Sequence, residues 1–133
     1  MGARVAIPVA FALVSSCLRQ APEPFAIDGS SPQEGEVIPP QETIWVQFND
    51  SVDPDTCTED TVHLVPLYDS GRAGPAAHTG FSPLGEQRWE VLHDGLVDGA
   101  TYLLTVQTGD GGCTSWAGEP VQPFAVQFDV EAR

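Results

Sequence analysis

Apolar residues alternate with polar ones over short stretches of this chain, and glycine- and proline-containing turns separate the stretches. A period of two is typical of strands that pack one face on a core and expose the other to water. Ile44, Val46 and Phe48 share one face of such a stretch, whereas Trp45 lies in the opposite phase. The pattern predicts strands over 25–28, 43–48, 61–67, 78–81, 89–92, 101–108 and 124–130.

These segments predict an all-β fold. About seven short strands without helical periodicity of useful length are typical of two antiparallel sheets packed face to face. The stretch Leu96-Val-Asp-Gly-Ala-Thr-Tyr102 resembles the tyrosine corner of Greek-key sandwiches, in which the phenol bonds to upstream backbone. We therefore expect one antiparallel Greek-key β-sandwich domain over residues 25–133.

The chain before residue 25 follows a different pattern. Arg4 precedes an apolar stretch over 5–14 that would rise only about 15 Å as a helix, half the thickness of a bilayer core. The stretch matches the apolar region of a secretory signal, and Val14-Ser-Ser-Cys17 resembles a bacterial lipobox. That resemblance implies lipid transfer to Cys17 and cleavage before it. We predict a lipoprotein signal peptide over 1–16 and a tether over 17–24; an ordinary cleaved signal peptide and a structural N-terminal segment are the alternatives.

The cysteine count agrees with export. If Cys17 carries lipid, Cys57 and Cys113 remain as an even pair in an oxidising compartment. A disulfide between them would stabilise the fold by about 4 kcal/mol, because it constrains the unfolded chain. Two free buried thiols are the alternative. A zinc site has little support, since the chain has no CxxC motif and its three histidines are scattered.

Five motifs in order resemble bacterial Ig-like domains of the SbsA (S-layer protein) type. The resemblance covers about residues 25 to 130, implies an Ig-like sandwich and supplies no catalytic residues. In such a sandwich the loop after the second strand and the loop before the last strand meet at one end, which would bring Cys57 and Cys113 together. The motifs are Ser31-Pro-Gln-Glu-Gly35, Phe48-Asn-Asp-Ser-Val-Asp-Pro54, Leu96 to Val106, Ala117-Gly118 with Glu119 in place of Asn, and Phe124 to Phe128.

Composition narrows the function further. Hydrophobic residues make up 41% of the chain, enough for a packed core, whereas nineteen acidic side chains face only five basic ones. A surface of that sign repels phosphate backbones, so nucleic-acid binding is excluded. Solubility is the simplest reason for the acidity, and binding of cations or of a basic partner is the functional alternative.

Four aspartates are the weak candidates for a calcium site. Asp50, Asp53 and Asp55 lie in the predicted loop after the second strand, and Asp110 lies in the last loop. Their carboxylates could converge if those loops meet, because calcium prefers several oxygen ligands. The spacing lacks the EF-hand pattern, however, and Asp53-Pro-Asp-Thr is more typical of a turn. We therefore predict no metal and no other cofactor.

The chain carries no nucleophile elbow and no paired metal ligands, so we do not expect an enzyme. Trp45, Trp89 and Trp116 are either core residues or recognition residues. We predict a cell-envelope lipoprotein, at the outer membrane or cell surface, with a structural or interaction role. Its partners would be the membrane through Cys17 and an envelope protein or glycan. The alternatives are a surface adhesion module that binds glycan or protein and, remotely, an enzyme of unknown type. A tether of at most about 25 Å favours an envelope role over long-range adhesion.

Overall fold

The computed structural model describes residues 23–132, which form eight strands and no helix. The described part accordingly contains no helix that could cross a membrane. The predicted signal peptide and most of the tether, including Cys17, lie outside the described residues. The strands are β1 (Ile27–Ser31), β2 (Val37–Ile38), β3 (Ile44–Phe48), β4 (Val62–Leu67), β5 (His78–Pro83), β6 (Arg88–His93), β7 (Thr101–Val106) and β8 (Phe124–Val130).

The strands form two four-stranded sheets, in the orders β1-β3-β6-β5 and β2-β8-β7-β4. All pairings are antiparallel except the one between β2 and β8, which is parallel. Without β2, these orders match the two sheets of a constant-type immunoglobulin sandwich. The predicted all-β Greek-key sandwich is therefore confirmed.

The core lies between the two sheets and follows the alternation in the sequence. Ile44, Val46 and Phe48 are buried on one side, and they face the buried side chains of β7 and β8 on the other. Each such aliphatic or aromatic side chain contributes about 1.5–3 kcal/mol when it is fully buried. Trp89 belongs to this core and stacks on Phe81, with ring centroids 5.0 Å apart.

The prediction for the first strand was wrong, and the short strand after it was not predicted. The first strand was expected over 25–28 with a turn at Gly29, but β1 continues to Ser31, because Ser30 and Ser31 pair with Val46 and Trp45. The register of the pairing between β1 and β3 shifts between Ile27 and Gly29. The strand that was not predicted, β2, is only two residues long, which is too short to show an alternating pattern. Smaller differences are that β5 runs to residue 83 and β7 ends at residue 106.

The tyrosine corner is present as predicted. Tyr102 is only 2% exposed, and its hydroxyl oxygen accepts a hydrogen bond from the backbone N–H of Val97 at 3.0 Å. The ring stacks on Phe128 of the neighbouring strand β8. The contact fixes the connection between β6 and β7, which crosses from one sheet to the other.

Candidate functional site

A disulfide between Cys57 and Cys113 joins the β3–β4 loop to the β7–β8 loop. The two Cα atoms are 4.4 Å apart, well within the limit of about 7 Å for a disulfide. Both cysteines are buried. The structure therefore confirms the pairing expected from cysteine parity and from the adjacency of the two loops.

Hydrogen bonds join the same two loops beside the disulfide. The N–H of Asp53 donates to the carbonyl oxygen of Thr114 at 3.1 Å, and Val52 pairs with Ser115 in an isolated bridge. The hydroxyls of Thr56 and Thr114 lie 2.9 Å apart, and the N–H of Thr114 donates to the Thr56 hydroxyl. The disulfide is thus one part of a wider set of contacts that holds the loops in one arrangement.

The β7–β8 loop ends in a tight turn that presents Trp116. The N–H of Gly118 donates to the carbonyl oxygen of Ser115 at 2.9 Å, and Gly118 adopts a φ of 85°, which favours glycine. The N–H of Trp116 donates to the carbonyl oxygen of Ser51, so the turn is fixed against the β3–β4 loop. The Trp116 side chain is nevertheless 66% exposed.

An open groove of about 590 Å³ lies between these loops. Threonine hydroxyls, three carboxylates and a run of glycines line it, so it offers hydrogen-bonding groups and little bulk. The lining residues are Asp55, Thr56, Thr58, Asp60, Thr61, Gly109, Asp110, Gly111, Gly112, Thr114, Gly118 and Pro120.

The structure brings only two of the four calcium candidates to this groove. Asp55 and Asp110 line it, together with Asp60, which the sequence did not single out. Asp50 accepts a hydrogen bond from the N–H of Ser51, and Asp53 accepts one from the N–H of Asp55, as the turn interpretation predicts. Within residues 23–132, no three His, Cys, Asp or Glu side chains are grouped so that they could hold a metal ion.

The chain enters the sandwich at this same end. The N–H of Phe25 donates to a carboxylate oxygen of Glu119 at 3.0 Å, and the N–H of Gln122 donates to the carbonyl oxygen of Phe25 at 2.8 Å. The amide nitrogen of Asn49 donates to the carbonyl oxygen of Pro24. We call these hydrogen bonds of Pro24 and Phe25 the entry clamp. The sequence did not predict the entry clamp, because its partners are far apart in the chain. The one signal was that Glu119 departs from the Ala-Gly-Asn turn of the SbsA type.

No protein-family model matches the chain, and no curated protein is similar to it in sequence. Solved structures share its architecture at low identity. CopC from Methylosinus trichosporium OB3b is 13% identical, with a TM-score of 0.57 over 82% of this chain and 95% of that one. The S-layer protein rSbsC is 16% identical, with a TM-score of 0.56 over 82% of this chain. The LD transpeptidase LdtMt1, solved with imipenem, is 14% identical, with a TM-score of 0.53 over 83% of this chain.

The chain spans 14% of the S-layer protein and 41% of the transpeptidase. What it shares with all three proteins is the β-sandwich fold.

Proposed function

We propose that this protein is a non-catalytic Ig-like domain of the cell envelope that a lipid on Cys17 holds at a membrane. The observation that carries the proposal is the buried Cys57–Cys113 disulfide. Structural disulfides persist in exported, oxidising compartments and are rare in the cytosol. The S-layer proteins among the similar structures carry this fold in a surface layer, which supports a location in the cell envelope.

The anchor is supported by the N-terminal sequence. Val14-Ser-Ser-Cys17 follows an apolar stretch of secretory length, and a short proline-containing segment then leads into the sandwich. A single acyl chain binds membranes only reversibly, whereas two chains hold a protein stably. Diacylglyceryl transfer to Cys17 would supply two chains at once, so no transmembrane segment is needed.

The absence of catalysis is supported by the state of the reactive side chains. Cys57 and Cys113 are oxidised and cannot act as nucleophiles. The two ring nitrogens of His78 contact the N–H of Leu64 and the carbonyl oxygen of Glu59. His93 likewise has one ring nitrogen near a backbone carbonyl oxygen and the other accepting from a backbone N–H. These histidines are structural and offer no base to a neighbouring hydroxyl.

Metabolic labelling with a fatty acid tests the anchor. We expect the wild type to incorporate label and to sediment with membranes. Cys17→Ala should remain unlabelled and appear as precursor or released protein. A matched control, Cys113→Ala, removes another cysteine and should leave labelling intact. A wild type that never incorporates fatty acid would contradict the anchor.

A second candidate function is ligand binding by the loop end. The specific observation is the groove with three carboxylates, those of Asp55, Asp60 and Asp110, which could bond to the hydroxyls of a glycan or to a basic peptide. Capture of partners from envelope extract, or a panel of envelope glycans, tests it. Asp60→Ala with Asp110→Ala should weaken capture, whereas Asp69→Ala, at an exposed position outside the groove, should not.

A further inference from the structure

We infer that the end of the sandwich that carries Trp116 faces the anchoring membrane and contacts its surface through that side chain. The inference rests on the lipid anchor proposed above. We call this end the tether end; it comprises residues 23–26 and the β3–β4, β5–β6 and β7–β8 loops. The partner is the zwitterionic lipid surface beneath the domain.

The first step is the place where the chain enters the fold. Pro24 and Phe25 are bonded to Asn49, Glu119 and Gln122, all of which belong to the tether end. The β5–β6 loop reaches the same end, because the N–H of Phe48 donates to the carbonyl oxygen of Gln87. The tether therefore leaves from among the loops that the disulfide joins.

The second step is the reach of the tether. Residues 17–24 span at most about 25 Å when fully extended. Strand β8 alone spans about 20 Å between its end Cα atoms at 3.3 Å per residue, and loops extend the sandwich beyond both ends of its strands. Running back along the domain would therefore take most or all of the fully extended tether. A slack tether keeps the tether end nearer the membrane, and the opposite end, which carries the β6–β7 loop, is held away from it.

The third step is the side chain presented there. Trp116 is 66% exposed at the tip of its turn, and Leu84 of the β5–β6 loop is 54% exposed at the same end. Tryptophan is enriched at membrane–water interfaces, where its ring meets both apolar and polar surroundings. The turn is already ordered by backbone hydrogen bonds, so contact requires little further ordering. A short tether also makes the contact intramolecular, so a weak contact is well populated.

Charge selects the kind of lipid. The tether end carries nine carboxylates, which an anionic surface repels. A zwitterionic surface exerts no such repulsion. At low salt, Trp116 can therefore contact a zwitterionic lipid surface but not an anionic one. The acidic residues are Glu23, Asp50, Asp53, Asp55, Glu59, Asp60, Glu86, Asp110 and Glu119.

Quenching of tryptophan fluorescence by brominated lipid tests the inference. The full mature lipoprotein is reconstituted into phosphatidylcholine vesicles whose acyl chains are brominated near the headgroup. We expect quenching, and we expect Trp116→Phe to lose the quenched part of the emission. In the Trp116→Phe background, Val97→Trp places a tryptophan at a 65% exposed site in the β6–β7 loop, and it should not be quenched. Added phosphatidylglycerol should reduce the Trp116 quenching at low salt, and added salt should restore it.

A second form of the protein separates the anchor from the contact. Cys17→Ser with a histidine tag directly before residue 17 binds nickel-chelating lipid in the same vesicles; residues 18–24 are unchanged, and the tag is the only added length. If mass spectrometry shows no acyl group on Cys17 but Trp116 of the tagged protein is quenched, the proposed anchor fails and the orientation stands. Absence of Trp116 quenching in both forms would overturn the inference, as would equal quenching of the Val97→Trp variant. Undiminished quenching in anionic vesicles at low salt would overturn the assignment to zwitterionic lipid.

Discussion

Tyr102 illustrates how a single polar atom contributes to this fold at the residue scale. Its phenol accepts the N–H of Val97, and removal of the hydroxyl leaves that part-buried N–H without this acceptor. We expect Tyr102→Phe to lower the free energy of unfolding by about 1–2 kcal/mol, because an unsatisfied group costs more than a hydrogen bond gains. Urea denaturation measures the change. Tyr68→Phe is the matched control at an exposed site and should change stability by less than about 0.5 kcal/mol.

The disulfide is the other residue-scale contribution that can be measured directly. Cys57→Ala with Cys113→Ala should lower the free energy of unfolding by up to about 4 kcal/mol, the chain-entropy estimate for a loop of this length. The Thr56–Thr114 contacts remain and should preserve the arrangement of the loops. Mass spectrometry of the non-reduced protein checks the bond itself. Two alkylatable thiols at positions 57 and 113 would contradict it.

Calcium should have no specific effect on stability. Two of the four candidate aspartates bond to nearby backbone N–H groups, and only Asp55 and Asp110 reach the groove. A ligand of the native state raises the melting temperature, so millimolar calcium should raise it no further than sodium chloride of equal ionic strength. A larger rise that Asp55→Asn and Asp110→Asn remove would establish a site.

At the scale of elements, His78 joins the edge strands of the two sheets. The N–H of Leu64 in β4 donates to Nδ1 of His78 at the start of β5, so Nε2 carries the proton and donates to the carbonyl oxygen of Glu59. We expect His78→Ala to lower the free energy of unfolding by about 1–3 kcal/mol, since two backbone groups lose their partners. Hydrogen exchange should show selective loss of protection at Leu64. Thr79→Ala, a change at the next and exposed residue, should leave that protection intact.

The elements also show which parts of the fold a sequence can predict. Strand β8 was predicted with the bounds that the structure gives, and β3 nearly so, because each buries one face and alternates throughout. Strand β1 was placed too early, because Gly29-Ser-Ser-Pro32 is typical of a turn. Its pairing depends on Val46 and Trp45, which no local pattern encodes.

Some features of the candidate site could likewise be predicted from the sequence, and others could not. Two remaining cysteines and an Ig-like loop order were enough to predict the disulfide. The entry clamp at Glu119 and the role of Asp60 in the groove were not predictable, because they arise from contacts between distant segments. The number of cysteines and the order of strands and loops can be inferred from the whole sequence, whereas individual hydrogen bonds depend on the final packing.

For the whole molecule, the excess of acidic over basic side chains is the dominant electrostatic feature. All nineteen acidic residues fall within residues 23–132, where the basic residues are Arg72 and Arg88. Both guanidinium groups lie over aromatic rings: Arg88 is 3.9 Å from the ring centroid of Trp45, and Arg72 is 5.7 Å from that of Tyr68. Folding therefore gathers like charges into a compact body, which self-repulsion opposes.

Salt should consequently stabilise the protein. At 0.15 M ionic strength the Debye length is about 8 Å, and it increases to about 30 Å at 0.01 M, so repulsion between distant carboxylates is strong only when salt is low. We expect the urea midpoint to rise with sodium chloride at neutral pH and then to level off. Asp50→Asn, Asp55→Asn and Asp60→Asn combined should flatten this dependence, because they remove three charges from one end of the sandwich. A midpoint that falls with salt would mean that specific ion pairs outweigh the net repulsion, contrary to the charge distribution of this domain.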